Sequence, residues 1–195
     1  MENLKKWIIS NISTLLLTVL FIIVLVNPDA KAWLMRQVAS TGILNSSISE
    51  PAEKPANTAA YTGLMLNNED GTFIDSSLLK NKVVFINFWA SWCPPCRAEF
   101  PSVEKLYNKY KAHPDMVFLI INLDDNPALG KNYLKEKGFT VPFITPAANI
   151  PEALYNGSLP TTVVIDKKGE IRLHHTGVAD YSKDSFYHEI ETLLK

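Results

Sequence analysis

The chain has 195 residues, 47% of them apolar, 20% charged and 10% aromatic, with 19 Lys and Arg balanced against 20 Asp and Glu for a formal net charge of -1. That balance excludes the strongly basic face of a nucleic-acid binder and a polyanionic tail, and the apolar fraction excludes a wholly disordered chain. Eight Gly and two Cys exclude collagen-like repeats and a multi-disulfide scaffold, leaving one packed core and a few special residues to carry the function.

Residues 1–6 form a short N-terminus with Lys5 and Lys6, and residues 7–26, WIISNISTLLLTVLFIIVLV, carry no charge. At about 1.5 Å per residue, roughly 20 apolar residues cover about 30 Å of hydrocarbon, whereas the apolar region of a cleavable signal runs about 7 to 15. The expectation is an uncleaved transmembrane helix over 7–26. A removed signal peptide, with Ala30-Lys31-Ala32 as its small-residue site, is the alternative. Lys5 and Lys6 keep the N-terminus cytoplasmic by the positive-inside rule and send the rest of the chain to the extracytoplasmic side, although Lys31 and Arg36 weaken the contrast.

Residues 27–57 read as a juxtamembrane segment and flexible linker. Within them, 30–39 is a helix with Trp33, Leu34 and Val38 toward one side and Lys31 and Arg36 elsewhere. It is either an interfacial helix on the membrane or a stalk continuing the anchor. From residue 40 to about 58 the composition turns to Ser, Asn, Pro, Glu, Lys and Ala, which buries little and behaves as a tether. The globular domain is expected over 58–195.

That domain opens with a short hairpin, 63–66 with 72–74, and a helical turn over 75–80. Residues 82–89, 95–112 and 116–123 then spell strand, helix and strand, a βαβ unit with parallel pairing. Asp125 is placed to cap a helix over 127–137 that Gly138 stops. An edge element at Phe143 and Ile144, a short helix over 151–155, a hairpin of 161–166 with 170–176 and a closing helix over 182–194 complete an α/β sandwich.

The chemistry lies where the first long strand meets its helix, in Trp89-Ala90-Ser91-Trp92-Cys93-Pro94-Pro95-Cys96-Arg97. Two Cys three apart on a first helical turn lie within disulfide reach. Cys93 is expected at the exposed N-terminal edge, where amide N–H groups and the helix dipole stabilise a thiolate, and is the predicted nucleophile. Cys96, one turn further in, would resolve the mixed disulfide. Pro94 and Pro95 stiffen the loop, and Pro95 suits an early helical position that needs no N–H. Competing uses of a C-x-x-C each fail a check. Zinc needs two further ligands, but the remaining candidates His113, His174, His175 and His188 are scattered; haem attachment needs His where Arg97 stands; a structural staple would close only a tiny loop.

Over roughly residues 60 to 195 the sequence resembles the thioredoxin superfamily, and within it the membrane-anchored TlpA/ResA-like thiol-disulfide oxidoreductases. The resemblance rests on Val83 through Cys96, on Glu99-Phe100-Pro101, and on Leu159-Pro160-Thr161-Thr162 leading into Val163-Val164-Ile165-Asp166. It implies a thioredoxin-like fold, a central mixed β-sheet flanked by helices. It also implies that Pro160 is a cis-proline facing the cysteines, that the Leu159 backbone pairs with an extended substrate, and that Glu99 lies near the pair and tunes its titration. Asn87 falls where cytoplasmic thioredoxins carry a buried acid, so that role does not transfer, and Asn87 reads as a hydrogen-bonded structural residue. Trp92 is expected as a wall beside Cys93 and Trp89 partly as core. Asp124-Asp125, at a strand-to-helix junction, reads as capping rather than a catalytic pair.

The expected activity is reduction of protein disulfides by the CPPC dithiol, with no cofactor and no metal. The resemblance implies a DsbD/CcdA-like membrane thiol donor, an apocytochrome c cysteine pair as a substrate, and a single-pass protein of the bacterial inner membrane with its domain on the periplasmic side. A disulfide oxidase or isomerase is the second reading. A copper-binding chaperone module, as in Sco-like relatives, is the third, but those carry C-x-x-x-C. Peroxide reduction lacks its Thr-x-x-Cys pattern.

Overall fold

The computed structural model describes residues 11–40 and 61–195. Uncharged Ile12–Val26 forms helix α1, and Asn27 breaks it in extended backbone. Its Oδ1 then accepts the N–H of Asp29 at 2.8 Å and of Ala30 at 3.3 Å, starting α2, Pro28–Ser40. The two helices meet at 96°. Among the described residues no single helix is long and apolar enough to cross a membrane, while α1 and α2 together meet the length and composition of a broken span. The expected span over 7–26 is described only in its last part; residues 7–10, the tether from 41 and the boundary near 58 lie outside the described residues.

The domain begins with β1, Leu66–Asn67, and a 3-10 turn, Ser76–Leu79. The expected hairpin survives as a tight bend: Ile74 N–H donates to Leu66 O at 2.9 Å, and Asn67 bridges to Phe73. β2, Val83–Trp89, and β3, Met116–Asn122, flank α3, Pro94–Tyr110, and pair in parallel, the arrangement that a strand–helix–strand crossover allows. α4, Pro127–Lys137, ends on Gly138 at φ 70°, a left-handed turn that favours glycine. Its cap is Asn126, whose Oδ1 accepts the Ala128 N–H at 3.1 Å, and not the expected Asp125: with Pro127 at the first helical position the cap is the residue directly before it.

β4, Thr145–Pro146, pairs antiparallel with β1; the expected edge element at Phe143 and Ile144 is displaced toward it, leaving Ile144 as a bridge to Ile121. The expected helix over 151–155 is only a turn, in which Leu154 and Tyr155 N–H both donate to Pro151 O. β5, Thr161–Ile165, β6, Ile171–Thr176, and α5, Asp184–Leu194, complete the chain. The main sheet runs β3-β2-β5-β6, parallel between β2 and β3 and antiparallel elsewhere. This is the mixed sheet of a thioredoxin-like fold.

All of β2 is buried, because both of its faces are covered. Phe85 and Trp89 point into one core layer with Phe100, Leu106, Tyr181 and Phe186, on the side of α3 and α5. Val84, Ile86 and Phe88 point into the other, with Leu66, Leu119 and Leu154. Strand alternation therefore sends Asn87 toward the face that carries α3, and the site is assembled there.

Candidate active site

Trp89 ends β2 deep in the core, edge-on to Phe100 with ring centroids 4.5 Å apart, which anchors the loop that follows. In that loop Cys93 N–H donates to Ala90 O at 3.2 Å, and Cys93 becomes the N-cap of α3. Cys93 and Cys96 form a disulfide with Cα atoms 5.3 Å apart. Four N–H groups at a helix start ordinarily lack partners. Here Cys93 N–H is taken by Ala90 O, Pro94 and Pro95 occupy the first two positions and have none, and Cys96 N–H donates to Cys93 Sγ at 3.2 Å, while Arg97 N–H makes the first helical bond to Cys93 O at 3.1 Å. The Cys93 sulfur thus meets a single backbone N–H from the helix end.

Cys93 is more enclosed than its expected place at an exposed edge, with 3% of its surface open, because its sulfur turns inward to Cys96 and to that N–H. It nevertheless lines an open cleft of about 300 Å³, with Trp92, Pro94, Pro95, Leu123, Tyr155 and Leu159. Trp92 is 64% exposed and lines this cleft with Cys93. Across the cleft the Leu159–Pro160 bond is cis. Sheet pairing of β5 starts at Thr161, so Leu159 stands beyond the ladder.

Glu99, one turn after Cys96 on α3, is buried. Asn87 Nδ2 donates to its Oε1 at 2.7 Å and to Thr162 Oγ1 at 2.9 Å, so one amide on β2 ties α3 to β5. Asn87 Oδ1 is buried without a hydrogen-bond partner. Burial pushes the Glu99 carboxyl up to about 8, and the Asn87 amide and the Ala179 backbone pull only partly against it. At neutral pH Glu99 is thus a carboxylic acid, able to give or take a proton inside the domain.

A second brace had no recognised signal in the sequence. Asp124 accepts Ser91 N–H at 3.1 Å on each carboxylate oxygen, Ser91 Oγ–H at 3.0 Å, and an amide proton of Asn122 at 2.7 Å. Its expected capping role is replaced by this one: the end of β3 lies beside the redox loop, with Leu123 N–H donating to Trp89 O at 2.8 Å. Tyr155, Leu123 and Gly157 also line the cleft without having been singled out by type or spacing. Among the described residues no group of three or more His, Cys, Asp or Glu is arranged to hold a metal ion.

The redoxin family model matches residues 51–189. The chain belongs to the redoxin family. The proteins it is similar to include the thiol-disulfide oxidoreductase ResA of Halalkalibacterium halodurans, 34% identical over 114 residues, which are 58% of this chain and 64% of that protein. ResA of Bacillus subtilis is 29% identical over 150 residues, 76% of this chain and 78% of that one. Among solved structures, the exposed lipoprotein thioredoxin of Streptococcus pneumoniae superposes with a TM-score of 0.54 at 27% identity, over 66% of this chain and 98% of its own. This whole-domain similarity supports the resemblance to ResA-like members of the thioredoxin superfamily.

Proposed function

We propose that this redoxin-family protein is a membrane-anchored, extracytoplasmic thiol-disulfide oxidoreductase that reduces protein disulfides. The observation that carries the direction is the proline pair at the start of α3. Thiolates at helix N-termini are stabilised by N–H groups and the dipole, and a well-stabilised thiolate makes the disulfide oxidising. Pro94 and Pro95 remove two of those N–H groups, leaving Cys93 Sγ the one from Cys96. A less stabilised thiolate favours the disulfide form and makes the dithiol a better electron donor.

In the reaction the Cys93 thiolate attacks one sulfur of a substrate disulfide, forming a mixed disulfide and releasing one substrate thiolate, which takes a proton. The Cys96 thiolate then attacks Cys93 Sγ, closes the Cys93–Cys96 disulfide and releases the second substrate thiol. Two electrons leave the dithiol and two protons end on the substrate. Trp92, Pro94, Pro95, Leu159 and Pro160 supply the binding surface, the backbone of Leu159 pairing with an extended segment of the substrate. Glu99 exchanges protons with the cysteine pair: its carboxylate form accepts the Cys96 proton as Cys96 becomes the nucleophile, and its acid form, favoured by burial near neutral pH, returns a proton when the dithiol is restored. A membrane thiol donor of DsbD/CcdA type restores the dithiol, and an apocytochrome c cysteine pair is a fitting substrate, by likeness to ResA-type proteins. The inner membrane, with the N-terminus cytoplasmic, is the site of action that Lys5, Lys6 and the uncharged stretch support.

The test is the equilibrium reduction potential of the protein against a glutathione buffer. A value near the thioredoxin end, about -270 mV, is expected, and one near -120 mV would assign an oxidase instead. Cys96→Ser is expected to hold substrates covalently on Cys93, with Cys93→Ser holding none.

A further inference from the structure

Pro101 lies inside α3 and has no N–H, so the carbonyl of Arg97, four residues earlier, lacks the partner that an α-helix would give it. Arg36 of α2 fills the gap. Its Nη2 donates to Arg97 O at 3.5 Å and its Nε to Ala98 O at 3.2 Å. Around this latch Asp29 of α2 pairs with Arg97 at 3.3 Å and with Lys137 at 3.1 Å, and Ala32 is 2% exposed. One side of α2 is therefore fixed to the helix that carries the cysteines, about one turn beyond Cys96.

The other side is open and amphipathic. With 3.6 residues per turn, Leu34 and Val38 fall opposite Ala32 and Arg36, beside Lys31, with Trp33 on the flank. Leu34, Val38 and Trp33 are 48%, 44% and 59% exposed. Directly before α2 stands α1, uncharged and open along its length, and the chain turns by 96° between them. An apolar helix inserted along the bilayer normal, followed by such a turn, lays the next helix along the membrane surface. There Leu34 and Val38 on the outer face, with Trp33 at its flank, match the boundary between headgroups and acyl chains.

We propose that α2 is a platform between the phospholipid surface and the redox domain, with Trp33, Leu34 and Val38 resting in the headgroup layer while Arg36, Asp29 and Ala32 hold α3. The inference rests on the membrane anchor of the proposed function and adds to it a fixed attachment. Because packed helices lie about 8–10 Å apart, the redox helix is held close to the bilayer, where a membrane-embedded dithiol donor can reach it.

The test uses the full chain in vesicles of phosphatidylcholine and phosphatidylglycerol, with photoreactive benzoylphenylalanine replacing Leu17 in α1 or Leu34 in α2. Retained disulfide-reducing turnover shows that each variant is folded. Lipid adducts at both positions are expected, with the Leu34 adduct lost when Trp33→Glu and Val38→Glu are added. Lipid adducts at Leu17 with none at Leu34, or adducts between two protein copies at Leu34, would overturn the platform while leaving the anchor standing. Absence of lipid adducts at Leu17 as well would overturn the anchor and the platform together.

Discussion

Glu99 gives the sharpest consequence at the scale of one residue. In the folded protein its carboxyl keeps its proton up to about pH 8, against an ordinary value of 4.5. Between those limits the folded state binds more protons than the unfolded chain, so this group's contribution to stability is complete below the lower value and falls as pH rises through the higher one. The slope is about 1.4 kcal/mol per pH unit. Glu99→Gln cannot titrate, so its stability relative to wild type should improve steadily from about pH 5 to pH 8 and then level off. Urea unfolding of the oxidised proteins, in which neither cysteine titrates, checks this, and parallel curves would refute it. Pro95 is the second such residue. Pro95→Ala returns an N–H to the second position of α3, one of the two from which a cap side chain accepts, and a hydrogen bond to a charged group contributes about 1.5–3 kcal/mol. The Cys93 thiolate should form at lower pH, and the potential should move by about 30 mV or more toward oxidising values. Alkylation rate against pH and the glutathione equilibrium measure the two effects independently.

At the scale of elements, the redox loop is held by its neighbours as much as by its own residues. Asp124, at the end of β3, accepts from Ser91 and Asn122, and α4 approaches so closely that a Cβ on Gly130 would stand 2.5 Å from Asn122 Nδ2. Asp124→Ala leaves buried donors unpaired and should destabilise the protein by about 1–3 kcal/mol. Gly130→Ala should also destabilise it, by pushing Asn122 away from Asp124. Because both act on one network, the double variant should lose less than the sum, and a thermodynamic cycle from urea unfolding measures the difference. None of this was legible from Asp124-Asp125 alone. A strand-to-helix junction reads as a cap, and only the tertiary position of β3 beside the loop reveals the other use. By contrast β2, α3 and the hairpin of β5 and β6 were legible nearly to their ends, because long apolar runs, a proline start and a glycine turn are local signals. The turn at Pro151 failed as a helix for the complementary reason: one proline start without a following apolar period is not enough to propagate a helix.

For the whole molecule, the sequence supplied the redox pair and the apolar N-terminus as separate facts, and the packing of α2 on α3 joins them. Composition marked residues 27–57 as juxtamembrane segment and tether, yet Arg36 holds two carbonyls one turn before Pro101. Its partner lies more than 60 residues away, beyond what local pattern can express. If this latch sets the domain's place, the segment 41–60 does not. A Gly/Ser-rich linker reaches about 5–6 Å multiplied by the square root of its length, so lengthening one that alone tethered the domain would let the domain drift outward. Inserting Gly/Ser residues into 41–60 should therefore leave energy transfer unchanged between a dye at exposed Phe73 and acceptor lipids in vesicles. The same insertion in an Arg36→Ala background should lower the transfer, because the carbonyls of Arg97 and Ala98 lose their donor and the domain is released to the length of its linker. Transfer that falls with insertion in the otherwise wild-type chain would show that the linker sets the height and the latch does not.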